Sequence, residues 1–339
     1  PKLFILAGTV LASIFLFVSI VFNNFVQKSI YEENSRHLLS TYEQVDKTFT
    51  MFVQHNWNAL SDWSNNLQYL DDAENMKTLW HDFARRKDAW QYQDFYMFNE
   101  NCDFITATGR DGNAPNIQGI FLDMYKTGQP VISSYIASDS NRRIVFALPM
   151  EVPYTINGIT YSGLAVSYNN DVVEKLIAGN IYQGQSDCYI LTSDGNVLLS
   201  LEPKTEFLQK ISNLFDFLNK YTDMTENEIT DLKKNIKNVS TGSLQCRYNK
   251  KTYYLVYEPT GINDWTIVGI IHNDVVDASM RRIQFITIVL ILILNGCIAL
   301  LLIGTVFALM DSRLRMKEHE QMILLKRKEL TEQMFSGLG

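Results

Sequence analysis

Between Phe285 and Leu309 the chain runs FITIVLILILNGCIALLLIGTVFAL without a single charged side chain. At about 1.5 Å of rise per residue, a helix of that length exceeds the roughly 30 Å hydrocarbon core of a bilayer. Residues 283–310 are therefore expected to form a transmembrane helix. A second uncharged apolar run, LFILAGTVLASIFLFVSIVF at residues 3–22, has the length of one more span. Asn23-Asn24-Phe25 follows it where a signal peptide would carry small cleavage-site residues, so it is expected to be an uncleaved anchor. Two spans would place the chain between them on one side of the membrane and both ends on the other. After the second run come Arg313, Arg315, Lys317, Lys326, Arg327 and Lys328, against Arg281 and Arg282 before it. Positive residues collect on the cytoplasmic side, which puts both ends in the cytoplasm and the middle outside the cell. The chain opens on Pro1 and stops at Gly339 within a charged helical pattern, so it is expected to be a fragment of a longer protein.

Composition excludes several classes. A formal net charge of -7 gives no concentrated basic patch for nucleic acid. Cys102, Cys188 and Cys246 are far apart and Cys297 lies in the apolar run, so no disulfide framework or paired-cysteine metal site is legible. His37, His55, His81, His272 and His319 lack metal-ligand spacing, and no nucleophile elbow, zinc-protease or phosphate-loop motif occurs. The adjacent pairs Glu32-Glu33 and Asp71-Asp72 point apart on a helix and make poor acid/base partners. No catalytic residue, metal or cofactor is expected in this chain. His319 does not read as a phosphoacceptor, because it follows Met310 by only nine residues and no ATP-binding segment comes after it.

Along the middle, residues 23–70 have neither glycine nor proline. There Tyr42, Val45, Phe49, Phe52, Val53, Trp57, Leu60, Leu67 and Leu70 recur at steps of three and four, which predicts a long stalk helix. From Asp94 strands take over. Phe95–Phe98 and Phe104–Thr108 flank NENCD as a hairpin, and GRDGNAPN at 109–116 reads as a loop. A helix over Ile120–Lys126 follows, then strands at Val131–Ile136, Arg143–Pro149 and Tyr161–Tyr168 and a short helix at Asn169–Ala178. After a polar join at Gly179–Ser186, strands at Asp187–Thr192 and Val197–Leu201 flank Ser-Asp-Gly-Asn. Glu206–Asn238 is predicted helical, with a capping box at Thr225–Glu228. A three-strand meander closes the set at Ser243–Tyr248, Thr252–Glu258 and Trp265–Ile271.

The stretches FYMFNENCDFITATGRDG, GQPVISSYIASDSNRRIVFALPM, SGLAVSYNNDVV, CYILTSDGNVLLS and YYLVYEPTGINDWTIVGIIHNDVV resemble, in rhythm and order, the double-Cache extracellular sensors. The resemblance covers residues 3–310. It implies an α+β fold: a long N-terminal stalk helix and two tandem PAS-like Cache domains with antiparallel sheets, flanked by two transmembrane helices. The expected divisions are a first span at 3–22, the stalk at 23–70, a membrane-distal Cache domain at 71–180, a membrane-proximal one at 181–275, a second span at 283–310 and a cytoplasmic coiled-coil linker at 311–339. The segments also look like those of large membrane histidine kinases, often hybrid kinases with a receiver domain. The implied parent is an ATP-dependent protein-histidine kinase acting on a response regulator. Some diguanylate cyclases and chemoreceptors share this input, and a degenerate Cache ectodomain that binds protein is a further alternative. Amino-acid-binding Cache domains carry an Asp near the end of the last strand of the distal domain. Here that position falls on Ser167, with Asp171 later, which favours an uncharged or anionic ligand.

The candidate ligand-binding residues are Trp90, Tyr92, Tyr96, Tyr135, Arg143 and Tyr168. Arg142 and Arg143 head a strand, where a guanidinium can hold a carboxylate bidentately. The tyrosines offer hydroxyls among apolar walls, as a small-ligand pocket requires, and Trp90 beside Tyr92 is a candidate lid. In the tail, Met316, Ile323 and Leu330 are seven apart, one heptad seam, with Met334 a step of four beyond. Asn295, Gly296 and Gly304 would let two copies of the second span pack closely. The expected whole is a multi-pass homodimeric receptor in the lipid bilayer, with a small-molecule ligand and no nucleic acid.

Overall fold

The computed structural model describes residues 2–67, 69, 78, 80, 81, 83–85, 87, 90–114, 118–137, 141–178, 181–200, 211–277 and 281–336. They belong to two bodies, one of Tyr31–Asp277 and one of Pro1–Ile30 with Ala278–Gly339.

Helix α1 covers Lys2–Leu67, so the predicted stalk closes at Leu67, and Leu70 lies outside the described residues. Its buried side chains Leu38, Tyr42, Val45, Phe49, Val53, Asn56, Leu60, Trp63 and Leu67 recur at steps of three and four, forming one stripe. The opposite side presents Glu32, Glu33, Arg36, Glu43, Lys47, Gln54 and Asp62 to solvent. The stripe is thus covered within the chain itself. One hydrophobic core joins it to inner-face residues of both sheets, among them Phe146 and Tyr168 of the first and Val256 and Ile271 of the second. Two buried asparagines fix its register. Asn34 Nδ2 donates to Tyr254 Oη at 3.4 Å, and Asn56 Oδ1 accepts from Tyr168 Oη at 2.8 Å. Tyr42 lies directly on the backbone of Gly269, where an added Cβ would come within 1.9 Å of the ring.

The first sheet holds six antiparallel strands in the order β3-β2-β1-β6-β5-β4. They are β1 Asp94–Phe98, β2 Asp103–Thr106, β3 Asp111–Asn113, β4 Val131–Ile136, β5 Arg142–Ile156 and β6 Ile159–Asn169. Two expectations change here. The stretch read as a loop contains β3, because residues 111–113 fold back to pair with the free edge of β2. The β5–β6 hairpin extends past Pro149 to the turn Asn157-Gly158, both at positive φ, the pairing that a tight two-residue hairpin demands. Helix α2, Gln118–Thr127, crosses the outer face of this sheet, and α3, Asn170–Ala178, follows β6.

The second sheet has the order β8-β7-β11-β10-β9: β7 Ser186–Leu191, β8 Val197–Ser200, β9 Gly242–Tyr248, β10 Lys251–Pro259 and β11 Thr266–His272. Helices α4, Leu214–Tyr221, and α5, Glu226–Lys237, cover its outer face with Leu214, Phe215, Leu218, Ile229, Leu232 and Ile236. The single helix expected over Glu206–Asn238 is therefore two, with residues 206–210 outside the described set. Capping chemistry makes the break. Thr222 Oγ1 bonds back to Leu218 O at 2.6 Å, and Thr225 with Glu228 closes the capping box that starts α5. The two sheets are tied by side chain to backbone bonds. The Arg142 guanidinium donates to the carbonyls of Val197 and Leu198, Asn170 Nδ2 to Ser200 O at 2.6 Å, and Asn263 Nδ2 to Ile132 O at 3.2 Å.

In the other body, α7 spans Arg281–Ser336, after α6 at Asn273–Asp277 of the first body. Its apolar part is long enough to cross a membrane, and most of its described side chains there are exposed. Among the described residues it is the one helix that qualifies; most side chains of the expected first span at 3–22 lie outside them. Asn295 Nδ2 lies 3.4 Å from Ser19 Oγ, so this polar group meets the N-terminal helix of its own chain.

Candidate functional site

Strand alternation sorts the first sheet into two faces. Phe95, Met97, Ile144, Phe146, Val166 and Tyr168 face α1. Their neighbours Phe98, Val145, Ala147 and Ala165 face outward against Phe121 and Met124 of α2. Phe98 stacks on Phe121 at 3.9 Å and covers Gly163, where a Cβ would approach the ring to 2.5 Å. The outward face continues as Asp94, Tyr96, Ser167, Arg143 and Tyr135, beyond this apolar cluster. There a cavity of about 180 Å³ remains, lined by Tyr96, Phe98, Phe104, Arg110, Tyr135 and Arg143 among others.

Three cations surround one carboxylate beside this cavity. Asp94 Oδ2 lies 3.7 Å from Arg110 and 3.9 Å from Arg143, and its Oδ1 lies 3.9 Å from Lys87 Nζ. Tyr96 Oη donates to the same carboxylate at 3.1 Å and sits 3.3 Å from Ser167 Oγ. Burial, then the neighbouring Tyr135, holds the Tyr96 phenol well above its ordinary range, so it stays a neutral donor. Arg110 is set by a tight turn: Gly109 takes φ +78, Arg110 N donates to Thr106 Oγ1 at 3.1 Å, and the guanidinium lies over Phe104 at 5.9 Å. Asn113 anchors β3 by donating to Asn101 O and to Asp103 Oδ1, and with Asn99 it lowers the Asp103 carboxyl. The Cys102 thiol on the cavity wall is raised by burial, which keeps it protonated and a poor nucleophile.

The six candidate residues divide between the faces. Tyr96, Tyr135 and Arg143 line the cavity. Tyr168 and Tyr92 pack on the opposite face, 5.1 Å apart, with Tyr92 against Trp63 of α1. Trp90, the expected lid, stacks on His55 of α1 at 4.3 Å instead. The physical reason is the pleat: Ser167 points outward, so Tyr168 points inward. Arg142 and Arg143 part the same way, Arg142 to the second sheet and Arg143 to the cavity. Asp94 and Arg110 were not among the sequence candidates. Asp94 stands two residues before Tyr96 and so shares its face, a signal present in the sequence. Arg110 reaches the cavity only because β3 folds back. The acid found missing at Ser167 also has a counterpart, since Asp94 is the direct cross-strand partner of Ser167.

Two antiparallel sheets pack on one long helix, and a cavity opens on the outer face of the first. The chain belongs to the Cache domain family, whose dCache_1 model matches residues 22–280. Cache domains are extracellular sensors of membrane receptors. The fold is similar to the ligand-binding domain of the Pseudomonas aeruginosa amino acid chemoreceptor PctB in complex with L-Arg, at TM-score 0.53 and 14% identity over 74% of this chain and 92% of that one. It is similar to the sensory domain of the Campylobacter jejuni chemoreceptor Tlp3 with isoleucine bound, at 0.50 and 10% over 75% and 98%. It is also similar to the extracellular domain of soHK1S-Z6, named a histidine kinase, at 0.52 and 11% over 74% and 98%. At these identities the likeness is one of fold. No curated protein matches the sequence.

Proposed function

We propose that this chain is the input region of a two-component receptor, in which a small molecule enters the cavity of the first Cache sheet and alters how that sheet is held against the second. The observation that carries this reading is the pair Arg142 and Arg143. One side chain lines the cavity and the next donates to backbone carbonyls of β8. A ligand that draws on Arg143 therefore acts on the strand end that grips the second sheet. It biases the output only by its difference in affinity for the two arrangements. In this reading helices at 3–22 and 283–310 span the membrane, with the Cache region outside and both ends in the cytoplasm. The chain works as a homodimer, and its tail at 311–339 passes the shift to a histidine kinase and so to a response regulator. The open cavity at Tyr135 and Arg143 supports a small ligand over a protein partner, for which a filled interior is expected. Thermal-shift screening of the chain in lipid nanodiscs against a broad metabolite library tests the reading. A true ligand at a hundred times its Kd adds about 2.7 kcal/mol of stability. A library with no stabilising member would overturn it.

A further inference from the structure

The walls of the first-sheet cavity point to a narrower class of ligand, resting on the sensing reading above. We infer that the ligand is a small uncharged molecule of about one ring, its apolar body among Phe98, Phe104, Phe121 and Val145 and one hydroxyl or carbonyl oxygen toward Tyr96 and Tyr135. All six of these side chains line the cavity. Phe98 stacks on Phe121 at 3.9 Å, and Phe104 meets Tyr96 edge-on at 5.9 Å, so the apolar wall is largely aromatic and suits a ring. The charges around the cavity balance within the protein. Lys87, Arg110 and Arg143 gather at Asp94, and β2 and β3 add Asp103 and Asp111, so three cations stand against three carboxylates. Farther out, exposed Arg85 and Lys126 stand against exposed Glu100 and Asp123, which leaves the sum over these described residues at zero. Arg143 also holds an interaction besides the one with Asp94. A ligand of net charge would give up its hydration and unbalance this set, and an uncompensated charge is among the costliest groups to take from water. A neutral oxygen carries no such cost, since tyrosine hydroxyls both give and accept hydrogen bonds. The Cys102 thiol on the same wall stays protonated and adds no charge. The volume of about 180 Å³ sets the ligand's size, since a dry cavity of about 150 Å³ accommodates benzene.

One-ring compounds of similar size and different charge test this by calorimetric titration of the full chain in nanodiscs: benzamide and phenol, both neutral, benzoate, benzylamine and the zwitterion L-phenylglycine. The expected result is binding of benzamide or phenol, with benzoate, benzylamine and phenylglycine weaker by on the order of tenfold or more. Val145→Phe puts a ring into the cavity and should weaken the neutral ligand by on the order of tenfold or more. Tyr135→Phe removes only a hydroxyl and should weaken it by on the order of three- to tenfold, which keeps the test valid if Val145→Phe fails to fold. Equal or tighter binding of benzoate, benzylamine or phenylglycine would overturn the assignment and leave sensing intact, as would neutral binding indifferent to both variants. Where none of the five binds, an uncharged hit of about one ring from the wider library upholds the assignment, and a hit of any other kind sinks it alone. Absence of any hit sinks sensing and the assignment together.

Discussion

The two sheets share a topology and an inner partner but differ on their outer faces. In the second sheet, α4 and α5 pack two helices' worth of apolar side chains against Tyr189, Leu191, Tyr253, Leu255, Val268 and Ile270, giving a filled core. In the first, α2 packs a cluster that ends at Phe98, Phe121 and Val145, and the rest of the face is polar and cavity-lined. A pocket arises here because the strand positions beyond that cluster are Asp94, Tyr96, Ser167 and Arg143, which no apolar helix would stabilise. One outer face is packed shut and the other keeps a cavity.

The contrast breaks most visibly on truncation. Leu218→Ala in the filled face should cost about 2–5 kcal/mol by chemical denaturation, while Tyr135→Ala beside the cavity should cost much less. Similar losses at both would mean that the first face is packed as tightly as the second. A smaller effect is expected at the shared helix. Gly269→Ala drives a methyl into the Tyr42 ring and should cost about 1–3 kcal/mol, and Gly269→Ala with Tyr42→Leu should recover part of it. Next come the neighbouring arginines. Arg142→Ala removes the two hydrogen bonds from Nη1 to β8 carbonyls and should lower stability by about 1–3 kcal/mol. Arg143→Ala should change ligand affinity far more than stability; the reverse pattern would exchange their roles.

The smallest effect concerns pH. Burial first, then Asp46 and Glu43 of α1, raise Glu258 on β10 from 4.5 to about 7. An acid whose folded pKa is raised adds stability that is full below its unfolded value and is lost as the pH climbs through the folded one. Melting temperature should therefore decline between roughly pH 5 and pH 8, on top of the Asp46 carboxyl, also raised by burial. Glu258→Gln should flatten that decline, and an unchanged slope would show that Glu258 is solvated like an ordinary surface carboxylate.

Much of the architecture was legible because it follows from local rules. The stalk stripe, the strand limits at Val131–Ile136 and the capping box at Thr225 all rest on periodicity or backbone preference. The break between α4 and α5 is not written in the periodicity, because it lies in the backbone of Thr222, which turns extended (φ -113, ψ 172) before the capping box at Thr225 starts a new helix. β3 was missed because Gly- and Asn-rich stretches pair only when an edge is offered to them. At the site, Tyr96, Tyr135, Arg143 and Tyr168 stand on four different strands, and residue type does not record which face of a strand is inner; the sheet brings Tyr96, Tyr135 and Arg143 to the cavity and sets Trp90, Tyr92 and Tyr168 against α1.

What the sequence alone determined is therefore the order of parts: an uncharged run from Phe285 to Leu309 that only a nonpolar medium suits, a helix stripe and two sets of strands. Those are properties of composition and period, which act over a few residues. What only the tertiary structure decided is the meeting of residues distant in the chain. Asp94, Arg110 and Arg143 come together because β1 pairs with β2 and β6, β6 with β5, and β3 folds over β2. Charge balance at a site is a sum over neighbours in space, and the register of the sheet, which no local pattern records, chooses those neighbours.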